Sequence, residues 1–252
     1  MRNLLKKTGY VVAYLLLVFF VFIPISIAKK RGIIEEINLE ENLSWNGGKY
    51  LFVTNHPSWL DQFLMVTLRL FHWGTSAFPF IVVANDSIKK ILYLDFFKGL
   101  SFIIPIERNG SVYAARNDIK RIKAILAAKH NLMIAGAPGR DFKGTEEEII
   151  FSPIKKKPLR KFTNLSGIIA TLPGVKTIPS CIEGTDRFYR EIEIDGKKEM
   201  KFSPWNFFIL FLLLGRIRIR IIYSKALVLG GKKKREATKI IQDTVLNSLD
   251  YP

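Results

Sequence analysis

The 252-residue sequence predicts an α/β fold, a mixed, largely parallel sheet covered by helices on both faces, preceded by an apolar N-terminal helix. Three observations predict it. Short apolar runs alternate with segments of helical periodicity, the pattern of strands joined by crossover helices. Polar, motif-like groups follow those apolar runs, where open α/β sheets carry their ligand chemistry. Hydrophobic residues make up 48 % of the chain and mean hydropathy is +0.15, which suits one large core and excludes disorder. The expected division is an anchor over 1–31 and one α/β domain over 32–252, with two small domains as the second choice.

The first element is the uncharged stretch Val11 to Ala28. Arg2, Lys6 and Lys7 precede it, and Lys29, Lys30 and Arg31 follow it. As a helix at about 1.5 Å per residue it spans roughly 27 Å, close to a bilayer's hydrocarbon thickness. It reads as an anchor, as a signal peptide ending at Ser26-Ile27-Ala28, or as a core helix. Cations directly after the small-residue site, and a run longer than the usual apolar region, count against cleavage. The lack of a polar face counts against a core helix. Membrane association is therefore the expectation. Spanning and lying in one leaflet both stay open, because Pro24 bends a helix and cations flank both ends.

Lys49 to Thr54 reads as a strand after the turn signal Asn46-Gly47-Gly48. Ser58 to Phe71 reads as a helix, Phe80 to Ala84 as a strand and Ile88 to Phe97 as a short helix. Phe102 to Ile106 is the third strand, and Val112 to Lys129 a helix with Lys and Arg opposite its apolar face. Leu132 to Ala135, Phe162 to Leu172 and Val175 to Ile182 read as strand, helix and strand. Asn206 to Gly215 is apolar but too short to span a bilayer, so it is a core element or a second membrane-dipping patch. In "RIRIRIIY", Arg216, Arg218 and Arg220 alternate with isoleucines, which gives a strand one cationic and one apolar face. A basic helix from Lys232 to about Leu249 closes the chain.

Charge narrows the partners. Lys and Arg number 39 against 22 Asp and Glu, a formal net charge of +17. Such a chain attracts an anionic bilayer, phosphorylated ligands or nucleic acid. No nucleic-acid motif is present, so that partner is not expected. One cysteine, Cys181, excludes an internal disulfide framework.

The chemistry concentrates in "FVTNHPSWLDQF". His56 and Asp61 are five apart and do not share a helix face. They meet only if His56 precedes the helix. Pro57 disfavours helix at His56, and Ser58 is a good N-cap that puts Asp61 in the first turn. Asp61 then either orients the imidazole as a base or completes a capping box with Ser58. Spacing alone leaves both open.

Taken with the later strand ends, these residues resemble the PlsC-type glycerolipid acyltransferases, which include 1-acylglycerol-3-phosphate acyltransferases. Asn55-His56-Pro57-Ser58-Trp59-Leu60-Asp61 matches the family's Asn-His-x4-Asp motif. "GLSFIIPIER" matches the second motif through Phe102, Ile103 and Arg108, and "VKTIPSCIEGT" matches the fourth through Pro179, with Gly184-Thr185 following. The third, "IAGAPGRDFKG", keeps Arg140 and Gly144 but has Ala137 where the family has Glu, and Pro138-Gly139 where it has Gly-Thr.

The resemblance implies acyl transfer from acyl carrier protein or coenzyme A to the hydroxyl of lysophosphatidic acid, giving phosphatidic acid. His56 would be the general base and Asp61 its orienting group. Arg108 and Arg140 would hold the acceptor phosphate, and Asn55, Gly136 and Gly139 would line the substrate site. Gly136 and Gly139 read equally well as tight-turn glycines. No protein nucleophile, metal or cofactor beyond the thioester is expected. The expected location is a membrane, with the catalytic domain on its cytoplasmic side. Alternatives are an acyltransferase for a different lysolipid, suggested by Ala137, and a non-catalytic protein that binds anionic lipid. Acyl chain length, carrier and oligomeric state are not read from the sequence.

Overall fold

The computed structural model describes residues 23–40, 49–58, 61–62, 64–65, 68, 80–84, 103–107, 112–137, 141, 145–194 and 197–252. Seven strands build the main sheet: β1 (Ile34–Asn38), β2 (Tyr50–Thr54), β3 (Phe80–Ala84), β4 (Ile103–Ile106), β5 (Leu132–Ala135), β8 (Lys176–Glu183) and β11 (Ile219–Tyr223). Their order is β1-β11-β8-β2-β5-β3-β4. The run from β8 to β4 is parallel throughout, β1 is parallel to β11, and β11 is antiparallel to β8. The sheet is thus mixed and largely parallel, as expected. Two hairpins, β6–β7 (Ile149–Phe151, Pro158–Arg160) and β9–β10 (Tyr189–Ile194, Lys197–Phe202), stand apart from it.

Every residue of β2 is buried, because the central strand is covered on both faces. Alternate residues serve two cores. Leu51 and Val53 join Ile122 and Leu126 of helix α2 (Val112–Ala127), Ile169 of α3 (Asn164–Ala170) and Ile241 and Val245 of α4 (Lys234–Ser248). Phe52 joins the other core with Ile25 and Ala28 of α1 (Ile23–Lys30), Leu64, Met65 and Leu68, and Phe207 and Phe211 of a π-helix, Asn206–Leu213. The four-residue spacing of Ile122 and Leu126, with Lys120, Arg121 and Lys123 exposed, is the amphipathic face expected of α2.

Several expectations are refined. The "RIRIRIIY" strand begins at Ile219, three residues late, because the chain is still turning out of Gly215 (φ +63°). Its alternation holds: Ile217, Ile219 and Ile221 are buried, Arg216 and Arg218 are exposed. Arg220 is not a free cation, since it is paired with Glu183. The apolar run of the predicted anchor enters the described structure only at Ile23. From there to Lys30 it is helical, with Ile25 and Ala28 packed in the domain core. Among the described residues no helix is long and apolar enough to cross a membrane. The helix predicted over Ile88–Phe97 lies outside the described residues, as do parts of that over Ser58–Phe71, where Asp61, Gln62, Leu64, Met65 and Leu68 are helical.

Candidate active site

Three central strands, β2, β5 and β8, deliver the chain to one place at their carboxyl ends. After Thr54 the chain leaves the sheet through Asn55, His56 and Pro57. The Asn55 side chain imitates a further strand pairing: its Nδ2 donates to the Ile182 carbonyl (2.8 Å), and its Oδ1 accepts from the Ile182 amide (2.7 Å). Asn55 is buried and both ends of its amide are engaged. Here it fastens the His56 loop to β8, which is a positioning role. The Gly136 amide donates to the Thr54 carbonyl (2.9 Å), so the sheet takes the N–H expected to face a substrate anion. A Cβ on Gly136 would lie 2.5 Å from the Phe162 ring. Close packing therefore requires this glycine.

His56 sits outside the helix, as Pro57 dictates, and its Nδ1 lies 3.3 Å from Oδ2 of Asp61. That is ion-pair distance. The ring N–H points off the oxygen, however, and Nδ1 makes no hydrogen bond among the described residues. Asp61 is fully buried. Its Oδ2 accepts from the Ser58 amide (2.6 Å), and its Oδ1 accepts from the Thr185 hydroxyl (2.6 Å). The two readings of Asp61 are therefore not exclusive, since one carboxylate both caps its helix and lies against the imidazole. The His56 side chain is 19 % exposed while Nδ1 itself is buried, so its open surface belongs to the other side-chain atoms.

A second carboxylate, absent from the sequence reading, braces the loop from the other side. Asp141 is buried. Its Oδ2 accepts from the His56 amide (3.0 Å), its Oδ1 from the Arg160 amide (3.3 Å), and its own amide donates to the His56 carbonyl (3.0 Å). Its position directly after Arg140, at the end of a predicted strand, was the available signal. Ala137 is buried in the apolar core with Ile134 and Phe162. The third-motif loop thus supplies its acid at 141 and has none at 137.

Burial raises both carboxyl groups. Asp61 is raised by desolvation, against the lowering effects of His56, Thr185 and the Ser58 amide. Asp141 is raised to about 7 by desolvation, against the lowering effects of His56 and its two amide donors. Positive charge on the His56 ring opposes that rise at both groups.

The Asp141 shift has a consequence for stability. The folded carboxyl holds its proton to about pH 7, while the unfolded one releases it near its ordinary 3.8. Between those values the folded state binds more protons, so its stability falls as pH rises from about 4 to about 7. At about 1.4 kcal/mol per pKa unit the effect is on the order of 4 kcal/mol at most. Asp141→Asn should flatten this slope, as measured by urea unfolding at pH 4.5 and 7.5. An unchanged slope would refute the assignment.

A cavity of about 890 Å³ opens beside the loop, with Asn55, Pro57 and Asp141 in its wall. Five cations line it: Lys29, Lys157, Arg187, Arg218 and Arg220. Lys157 and Arg220 are both bound to Glu183, and Lys29 is 3.0 Å from Glu36. Arg187 and Arg218 are exposed and pair with no carboxylate among the described residues. The expected phosphate ligands Arg108 and Arg140, and Gly139, lie outside the described residues. Cys181 is buried and its thiol is pushed well above its ordinary range, so it is no nucleophile.

No family model matches the chain, and no curated protein matches it. Among solved structures, the crystal structure of the 1-acyl-sn-glycerophosphate (LPA) acyltransferase PlsC from Thermotoga maritima has the same fold. The alignment covers 100 % of this chain and 97 % of that one, with a TM-score of 0.53 and 17 % sequence identity.

Proposed function

We propose that the chain is a membrane-associated acyltransferase that moves a fatty acyl group from acyl carrier protein or coenzyme A to the free hydroxyl of lysophosphatidic acid, giving phosphatidic acid. The reading is carried by one observation: the His56 ring lies 3.3 Å from the buried Asp61 at the carboxyl ends of the central strands, in a loop whose residues Asn55 and Pro57 line a large cavity that also carries the cations Arg187 and Arg218, unpaired among the described residues. The shared fold supports it.

In the step proposed, the acceptor hydroxyl attacks the thioester carbonyl while His56 takes its proton. The new C–O bond forms, the C–S bond breaks, and the imidazolium returns the proton to the departing thiolate. The substrate hydroxyl occupies the place that a serine has in hydrolases, so no protein nucleophile enters. Arg187 and Arg218 are available for the acceptor phosphate at the described part of the cavity, and guanidinium groups fit phosphate oxygens in pairs. Arg108 and Arg140 are proposed beside them on the strength of the motif resemblance.

Ala137 favours a second reading, the same chemistry on another lysolipid. Purified protein, incubated with acyl-coenzyme A or acyl carrier protein donors and a panel of lysolipids, should release free thiol only when an acceptor is present. Strict dependence on a phosphate monoester would remove the second reading. Absence of acceptor-dependent thiol release with every donor would overturn both and leave a lipid-binding protein.

A further inference from the structure

We propose that the π-helix Asn206–Leu213 is a second membrane-docking element, beside the end of the N-terminal apolar run. With α1 it forms a ridge that rests on the bilayer interface and sets the cavity mouth at headgroup level. The membrane association in the proposed function is the premise of this inference. Six large apolar side chains stand out of the protein along the ridge: Ile23 (38 % exposed) and Ile27 (50 %) of α1, then Trp205 (62 %), Phe208 (43 %), Leu213 (62 %) and Leu214 (49 %). Isolated exposed apolar residues are ordinary. Several on two touching elements mark an interaction surface.

The ridge is held rigidly with this face outward. Beneath it Phe207 and Phe211 are buried, each packed against Phe188 with ring centroids 5.2 and 5.1 Å away. Ile25 and Ala28 anchor α1 in the same core. The two elements are tied together: Arg31 donates from Nη1 to the Leu212 carbonyl (2.7 Å) and from Nη2 to the Leu213 carbonyl (3.1 Å), satisfying groups that the helix end leaves open.

Lipid fits this face better than a second copy of the chain. The sequence that precedes α1 is an uncharged apolar run starting at Val11. Exposed Lys30, Arg216 and Arg218 follow the ridge elements directly, and a chain of net charge +17 suits anionic headgroups. A two-fold dimer through the ridge would instead bring those cations against their own copies. An exposed tryptophan beside aliphatic residues and cations is the composition of an interfacial helix. The ridge also adjoins the cavity, since Lys29, Gly32, Ile33 and Arg218 belong to its wall. An acceptor lipid can then enter sideways from the leaflet, its phosphate meeting Arg218.

The test uses the full chain. Buried, high-pKa Cys181 leaves a cysteine introduced at Phe208→Cys or Leu213→Cys as the reactive one. Each variant is labelled with an environment-sensitive fluorophore and mixed with phosphatidylglycerol–phosphatidylcholine vesicles carrying a shallow spin-labelled lipid. Both labels should shift to the blue and be quenched. A label at Ile154→Cys, 77 % exposed on the β6–β7 turn, should not respond. In a Trp205→Ser, Leu214→Ser double variant, vesicle partition should fall by roughly tenfold. Vesicle-bound protein with unquenched ridge labels would overturn the proposal. Failure to bind vesicles, or labels shielded without vesicles as concentration rises, would do the same. None of these readouts uses turnover. Docking without acyl transfer would end the enzyme reading alone, and acyl transfer with unquenched labels would end this one alone.

Discussion

Replacing His56 with alanine is expected to reduce acyl transfer by about 10²- to 10⁴-fold, the usual worth of a positioned general base, with little change in the urea midpoint. The separation of the two effects follows from the contacts. The amide and carbonyl of His56 carry the bonds to Asp141, and these survive the substitution. Among the described residues the imidazole itself makes only the 3.3 Å approach to Asp61. Asp61→Ala is a less clean probe, because it leaves the Thr185 hydroxyl and the Ser58 amide without their buried acceptor, costing about 1–3 kcal/mol apiece. Thiol release from acyl-coenzyme A, measured beside urea unfolding, distinguishes chemistry from folding. Full turnover in the alanine variant would end the assignment of His56 as base.

Gly184→Ala should be the most destabilising single-methyl change at the site, by about 3 kcal/mol or more. Two independent costs add. Gly184 has φ +91°, a left-handed conformation that L side chains rarely adopt. A Cβ there would also stand 2.2 Å from the backbone oxygen of Arg218. The backbone just before β11 must then move, because no flexible side chain can yield. Thr185 follows directly and holds Asp61, so activity should fall further than the loss of folded protein explains. Urea unfolding together with turnover per folded molecule checks both. A loss below about 1 kcal/mol, within the range of ordinary surface changes, would show the turn to be permissive.

The sheet was legible because its strands are apolar runs with turn residues between them. Residues 80–84 and 132–135 match the expected bounds, and the expected run 49–54 differs by one residue. β1, with sequence Ile-Glu-Glu-Ile-Asn, does not look like a strand. Glu35 is exposed, and Glu36 is accommodated by tertiary partners, Lys29 and the Tyr223 hydroxyl, that local pattern cannot show. The β9–β10 hairpin does carry a local signal, alternation on both sides of Asp195-Gly196. The π-helix is a core element through Phe207 and Phe211, and it leaves Phe208 outside.

At the site, His56 and Asp61 were legible because Pro57 and Ser58 constrain the chain locally. Asp141 and the strand-like clasp of Asn55 were not. Their roles depend on which strands become neighbours, and the register of β2 against β5 and β8 is written nowhere in a local window. Alternation places Arg220 on the cationic face of its strand, and Glu183 from the adjacent antiparallel strand claims it.

The clasp has a kinetic consequence. Its bonds bridge 85 residues from His56 to Asp141, 124 from Asp61 to Thr185 and 127 from Asn55 to Ile182. Contacts so remote in the chain form only after large loops have closed, and domains dominated by them fold slowly, over milliseconds to seconds. Meanwhile only the local Ser58–Asp61 bond, among the described residues, holds the histidine loop. Recovery of turnover during refolding should therefore lag the recovery of helical signal, and a nascent chain that has emerged only through β5 would lack the bonds from Asp141 and Ile182 that fix the loop.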